Sequence, residues 1–314
     1  MHQTSLGRNI RINRVISSNA HNMDEEQDLE LLIPKYSQDA IVNFRVFKEE
    51  GFSFKASSSK PFSRNYSLEL RELEGKVYEI YYPQSFLCVS KYFLELEEVI
   101  LPLAHPQNSS LYLSITEEDE LEMLNFEAIQ NNLSQLKEEV KKQLQDPDRH
   151  EQIDDLFDYL SNKEKAAKYL MEDLRYLFDF HGMPKEDGVY LDFTKEESKL
   201  ESVAKSVFSM VGIHPLLSSM DVMMFDYVEA GRYKIESLAG IDTLSTDERH
   251  DFVKIQRDFL AGEFDFESYQ DISLHHKRYL YDADNILLSY HYRWKTETPD
   301  MRKSKEIRIE RLGD

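Results

Sequence analysis

Apolar positions alternate with polar ones over Val42, Phe44 and Val46, and again over Phe52 and Phe54, with Glu49-Glu50-Gly51 between them. A period of two broken by a glycine predicts a β-hairpin turning at Gly51. A second hairpin follows from Leu68 and Leu70, a Glu74-Gly75 turn, and Val77 to Tyr82, with Ser57 to Pro61 as the loop between the two. Leu111, Leu113 and Ile115 predict another short strand. Late in the chain Leu288, Tyr290, Tyr292 and Trp294 share one strand face, as do Ile307 and Ile309, with Asp282 to Asn285 as a tight turn before them.

The centre has a different period. Thr116 to Asp119 reads as a helix start, followed by Leu121, Leu124, Ile129, Leu133, Leu136, Val140 and Leu144 at spacings mostly of three and four, with Pro147 as the stop. Asp148 and Glu151 then open a second helix, striped by Ile153, Phe157, Leu160, Ala167, Leu170, Leu174 and Leu177 and closing at His181-Gly182. The short connection predicts an antiparallel helical hairpin. Two further helices are announced by the capping boxes Thr194 to Glu197, ended by Gly212, and Ser245 to Glu248, ended by Gly262. Residues 84–101 and 213–240 show no decisive period.

Strands, then helices, then strands predict an α+β fold, with one antiparallel β-sheet from N-terminal hairpins and C-terminal strands around a helical region. The expected organisation is a flexible N-terminal segment at 1–23, a β-rich region at 24–115, an acidic helical region at 116–262 and a C-terminal β region at 263–314 that rejoins the first sheet. The first 23 residues hold three arginines and no acid, a weak likeness to an organelle transit peptide, although the arginines do not segregate from Ile10, Ile12 and Ile16.

The 314 residues carry 59 Asp and Glu against 38 Lys and Arg, a net charge of −21. The excess is not spread evenly. Residues 113–181 hold 18 acids against 8 bases and residues 182–271 hold 19 against 9, whereas residues 272–314 hold 7 against 9. The charge therefore belongs to the expected helical block. No window has the roughly 18 uncharged apolar residues of a membrane helix. The single cysteine, Cys88, in Phe86-Leu87-Cys88-Val89, excludes a disulfide framework and reads as a small buried hydrophobe in a reducing, cytoplasmic setting. Glycine is scarce, and the spacings that cradle phosphates, bind dinucleotides or build a nucleophile elbow do not occur. No cofactor is expected.

Candidate chemistry is thin. His250-Asp251 resembles the metal-binding pair of HD-type phosphohydrolases, a likeness two residues long that makes them candidate catalytic and metal residues, with His214 and His291 as further metal candidates. The competing reading is two solvated residues in the first turn of a helix. Glu74-Gly75-Lys76 straddles a turn rather than presenting the carboxylate and lysine of a metal-dependent nuclease, and Asp282 to Asn285 lacks the fifth-place ligand and glycine of a calcium loop. Lys277, Arg278, Tyr290, Tyr292, Arg293, Trp294 and Lys295 interleave aromatics with cations, a composition used for single-stranded nucleic acid. Strand alternation, however, puts Tyr290, Tyr292 and Trp294 on one face and His291, Arg293 and Lys295 on the other. Arg302, Lys303, Lys305, Arg308 and Arg311 extend the basic strip.

The favoured expectation is a soluble, non-catalytic binding or regulatory protein whose acidic helices meet a basic protein partner, because such a surface attracts cations and repels phosphate backbones. The alternatives are a metal-dependent hydrolase or nuclease built from the scattered His, Asp and Glu, and a nucleic-acid-binding component of a defence or repair complex acting through the C-terminal strip. No partner membrane is expected.

Overall fold

The first strand runs straight through Glu49-Glu50-Gly51. In the computed structural model, which describes residues 30–83, 110–192, 218–242 and 249–313 apart from positions 38–39, 56, 59–60, 75, 117–120, 145, 172, 186, 270–271 and 299, β1 spans Ile41–Phe54. The chain reverses after it, where Lys55 takes φ 53° and the two-residue strand β2 (Ser57–Ser58) pairs back onto Ser53 and Phe54. The glycine serves a close approach instead: a Cβ on Gly51 would come within 2.9 Å of the Ser304 hydroxyl.

The remaining elements are β3 (Phe62–Leu73), β4 (Val77–Tyr81), β5 (Ser110–Ile115), β6 (Leu121–Met123), α1 (Phe126–Gln143), α2 (Pro147–Leu160), α3 (Lys163–Leu170), β7 (Gly188–Asp192), β8 (Ser218–Tyr227), β9 (Tyr233–Asp242), α4 (Arg249–Leu260), β10 (Ile272–Tyr281), β11 (Leu287–Thr298) and β12 (Met301–Arg311). Antiparallel sheet dominates, with helices in the middle of the chain, an α+β architecture. Contacts divide the described chain into two compact units, and both β1 and β12 contribute residues to each.

One unit holds residues 33–46, 64–182 and 310–314. Its strands run in the order β6-β5-β4-β3-β1. Alternate residues Leu68, Leu70, Tyr78, Ile80, Leu111 and Leu113 are buried, each full burial contributing about 1.5–3 kcal/mol. Leu121 to Met123, expected as the first turn of a helix, instead pair with Leu113 to Ile115 as an edge strand. The helix begins only after Asn125. That side chain accepts from Tyr112 N at 3.0 Å and donates to Ser110 O at 3.1 Å, so it extends the sheet rather than capping the helix. Pro147 opens α2 instead of merely stopping α1, as a first helical position needs no N–H.

The second expected helix is broken at Ser161-Asn162. Ser161 Oγ donates to Phe157 O at 2.9 Å, and Asn162 caps α3 by accepting from Lys165 N at 3.0 Å. Its apolar stripe is still buried at Ile153, Phe157, Leu160, Leu170, Leu174 and Leu177, with Ala166 in place of Ala167 at the core. Lys137 with Asp154 and Asp158, and Lys141 with Asp154, tie α1 to α2 in the antiparallel sense.

The other unit holds the described residues of 30–32, 47–63 and 183–309. Its order is β1-β12-β11-β10-β9-β8-β7, so residues 47–54 of the first strand lie beside the last one. The span 116–262 is therefore not helical throughout: β7, β8 and β9 lie within it. Val222, Phe225, Ile235 and Leu238 are buried there, and β-branched and aromatic residues suit a pleated surface. Helix α4 buries Ile255 and Phe259 against Val222, Leu238, Leu274 and Phe266. It ends as expected at Gly262, with φ 75° and Glu263 N donating to Asp258 O at 2.8 Å. Residues 1–23, Cys88, His214 and both capping boxes lie outside the described residues.

Candidate functional site

Strand register places the polar groups. Arg278 lies between Glu236 of β9 and His291 of β11, His276 between Leu238 and Arg293, and Leu274 between Gly240 and Lys295. Glu236, His276, Arg278, His291, Arg293 and Lys295 thus share one face, and His275, Tyr279, Tyr290, Tyr292 and Trp294 the other. This is the separation of cations from aromatics that the alternation predicts.

On the polar face Glu236 is the hub. Its Oε1 accepts from Arg278 at 2.8 Å and lies 2.7 Å from His276 Nε2, and its Oε2 lies 3.5 Å from the Lys234 ammonium. Burial alone would raise the pKa of this carboxyl, but the hydrogen bonds from His276 and Arg278 outweigh it and hold it down at about 2. Phe259, Phe264 and Phe266 ring the imidazole at centroid distances of 6.0, 5.4 and 6.4 Å. A carboxylate so fully engaged by cations anchors strands; a general base needs a lone pair aimed at substrate.

Beside it, Arg293 and Arg302 both donate to Glu267, Arg302 at 3.1 Å. Arg293 stacks on the Phe266 ring at 4.3 Å, and the Lys295 ammonium faces the same ring at 5.2 Å. Further along, His291 Nε2 lies 2.8 Å from Glu306, which also pairs with Arg308 at 3.0 Å. Burial lowers the His291 pKa against the opposing pull of Glu306.

The aromatic face is closed. Tyr290, Tyr292 and Trp294 are 1%, 7% and 8% exposed, so none offers a platform for a base. Tyr279 and Tyr290 pack at 4.6 Å, and the Tyr292 hydroxyl meets His275 Nδ1 at 2.8 Å. Lys277 is half-buried on this face, Arg278 is exposed at the edge of the polar one, and Lys303 reaches the Trp294 ring at 5.6 Å.

Of the metal candidates only His291 has a described side chain. His250 and Asp251 occupy the first turn of α4, their side chains outside the described set along with His214, while His291 is engaged by Glu306. Among the described residues no group of three or more His, Cys, Asp or Glu is arranged to hold a metal ion. Reasoning from the sequence did not single out Glu236, Glu267 or Glu306, the partners of the candidate cations. Only strand register joins residues so far apart, and no local spacing signals it.

The acidic helices present a second surface. Lys137 and Lys141 consume Asp154 and Asp158, but Glu127, Glu138 and Glu139 of α1, Glu151 and Asp155 of α2 and Glu164 of α3 are exposed and form no ion pair among the described residues. The glutamates of α1 and the acids of α2 lie at spacings that keep each set on the solvent side of its helix, opposite Ile129, Leu133, Leu136, Ile153 and Phe157.

No protein-family model matches the chain, and no curated protein does. Among solved structures the chain is similar to one concerning lipid–protein interactions in lipovitellin, at 6% identity and a TM-score of 0.38, over 89% of this chain and 26% of that one. The chain thus spans about a quarter of the length of that structure, and a likeness this loose carries no argument about fold or function. No described helix is long and apolar enough to cross a membrane.

Proposed function

We propose that this chain is a non-catalytic binding or regulatory protein whose acidic helical surface, with its charge excess on α2, receives a basic protein partner. The observation that carries this reading is the row of exposed carboxylates Glu127, Glu138, Glu139, Glu151, Asp155 and Glu164, none neutralised by an ion pair among the described residues. Exposed carboxylates of this kind attract and steer an approaching cationic surface. A cytoplasmic setting, suggested by the single cysteine, belongs to the same reading.

The polar face of β9–β11 supports this choice over the two alternatives. Its histidines are spent on Glu236 and Glu306, and the buried Tyr290, Tyr292 and Trp294 lie on the face opposite Arg293 and Lys295. The test uses the full chain immobilised, with retained proteins eluted by a salt gradient. Basic proteins held at low salt and released well before 1 M are expected, and the quadruple change Glu138→Lys, Glu139→Lys, Glu151→Lys and Asp155→Lys should abolish retention. Equal retention by that variant would remove the proposal.

A further inference from the structure

Lys295 is 1% exposed. A buried ammonium is costly unless hydrogen-bond acceptors or an anion meet it. This one makes no hydrogen bond or ion pair among the described residues, and its described contact is the face of Phe266. Two guanidiniums converge beside it. Arg293 lies over the same ring, and Arg302 arrives from β12. One carboxylate holds both: Glu267 gives Oε1 to Arg293 and Oε2 to Arg302. Each of its oxygens is committed to a guanidinium, and no ion pair joins it to Lys295. Two further acids stand near: Glu297, two residues along the same strand and without an ion pair to Lys295, and Asp265, which is engaged by the Ser268 hydroxyl and by Glu267 N.

We propose that Arg293, Lys295 and Arg302 form a binding site for a phosphate group, with Glu267 acting as an internal carboxylate that competes for two of the three cations. A carboxylate offers two oxygens in a plane. A phosphate offers a tetrahedral set, enough to meet both guanidinium forks and the ammonium together. The rim is open, since Glu267 and Arg302 are 51% and 47% exposed at the side chain and Arg293 28%, with Lys295 the most deeply set. Admission requires only that the Glu267 side chain turn outward. Phe266, 5% exposed in the core cluster, keeps the supporting turn in place.

The proposal rests on other residues than the acidic helices, so the two can fail separately. Its test is calorimetric titration of inorganic phosphate into the full chain, the natural sequence beside Glu267→Gln, Lys295→Met and Arg302→Met. Phosphate should bind roughly tenfold more tightly to Glu267→Gln, which removes the competing charge, and at least roughly tenfold more weakly to the other two. Arg302→Met changes a half-exposed side chain and keeps the test valid should Lys295→Met not fold, as near-ultraviolet circular dichroism will show. Acetate should compete poorly. No heat with Glu267→Gln at millimolar phosphate, undiminished binding by Arg302→Met, or equal competition by acetate would each overturn the site.

Discussion

His276 Nε2 lies 2.7 Å from Glu236 Oε1, with both side chains about nine-tenths buried at the junction of β9 and β10. Removing Glu236 takes the hydrogen-bond partner from the buried His276 ring and the counter-charge from Arg278 and Lys234 at once. Glu236→Leu is therefore expected to cost about 3–5 kcal/mol, and the joint change of Glu236 and His276 to leucines much less than the sum of Glu236→Leu and His276→Leu. Urea denaturation of the four proteins closes the cycle. Additive losses would mean that the two side chains do not interact.

The same carboxyl sets an acid limb of stability. Its pKa is lowered from 4.5 to about 2 in the folded chain, so the unfolded chain binds the proton more readily. The resulting stability is complete above about pH 4.5 and drains away as pH falls toward 2. Urea midpoints taken from pH 5 down to pH 2 should drop, and Glu236→Gln should flatten that drop. A midpoint as steep in the variant as in the natural chain would assign the acid limb to other groups.

His275 works over a different range. Burial, reinforced by the charge of Lys277, lowers its pKa from 6.5 to about 3. A histidine held neutral in the fold favours unfolding once the unfolded chain takes up its proton, so stability should decline from about pH 6.5 downward, by at most about 1.4 kcal/mol per pH unit. His275→Gln keeps a polar side chain that does not titrate, and should reduce the slope between pH 6.5 and 4.5 where Glu236 does not yet contribute. His291, also lowered, leaves a residual slope.

What was legible in the sequence follows from the range of the interactions involved. The alternation at Tyr290, Tyr292 and Trp294, the Asp282 turn and the Gly262 terminus depend on residues a few positions apart, and the structure has all three. The same local logic misassigned Gly51, because its neighbour Ser304 is 253 positions away and a glycine set against a hydroxyl looks, in sequence, like a glycine in a turn. It also extended the first helix back over Leu121 to Met123. Those residues fit a helical stripe, yet pairing with β5 satisfies their backbone groups at the sheet edge. The polar site was legible only by half: its cations cluster within Lys277 to Arg302, while the acids that hold them stand at 236, 267 and 306.

Asn162 tests the break between α2 and α3. Its side chain supplies an acceptor to Lys165 N that alanine cannot, and Asn162→Ala should cost about 1 kcal/mol, with Asn162→Asp close to neutral. Chemical denaturation resolves a change of that size. An unaltered midpoint for Asn162→Ala would show that α3 is held by its packing at Ala166 and Leu170 rather than by its cap.

Phe259 and Leu260 are adjacent on α4 and should respond in opposite ways. Phe259 is 2% exposed and packs against Val222, Leu238, Leu274 and Phe266, with Phe264 and His276 at its ring edges, whereas Leu260 is 44% exposed. Phe259→Ala removes the whole phenyl ring from a site bounded by three strands and a turn, and the strands cannot follow the helix inward without breaking ladder bonds. The cavity persists, and the expected loss is about 3–5 kcal/mol. Leu260→Ala uncovers nothing and should stay within about 0.5 kcal/mol. Because Phe259 also lines His276, its loss admits water beside Glu236, so the acid limb of Phe259→Ala should shift as well as its midpoint at neutral pH. Comparable losses from the two alanines would mean that α4 does not present this face to β8, β9 and β10.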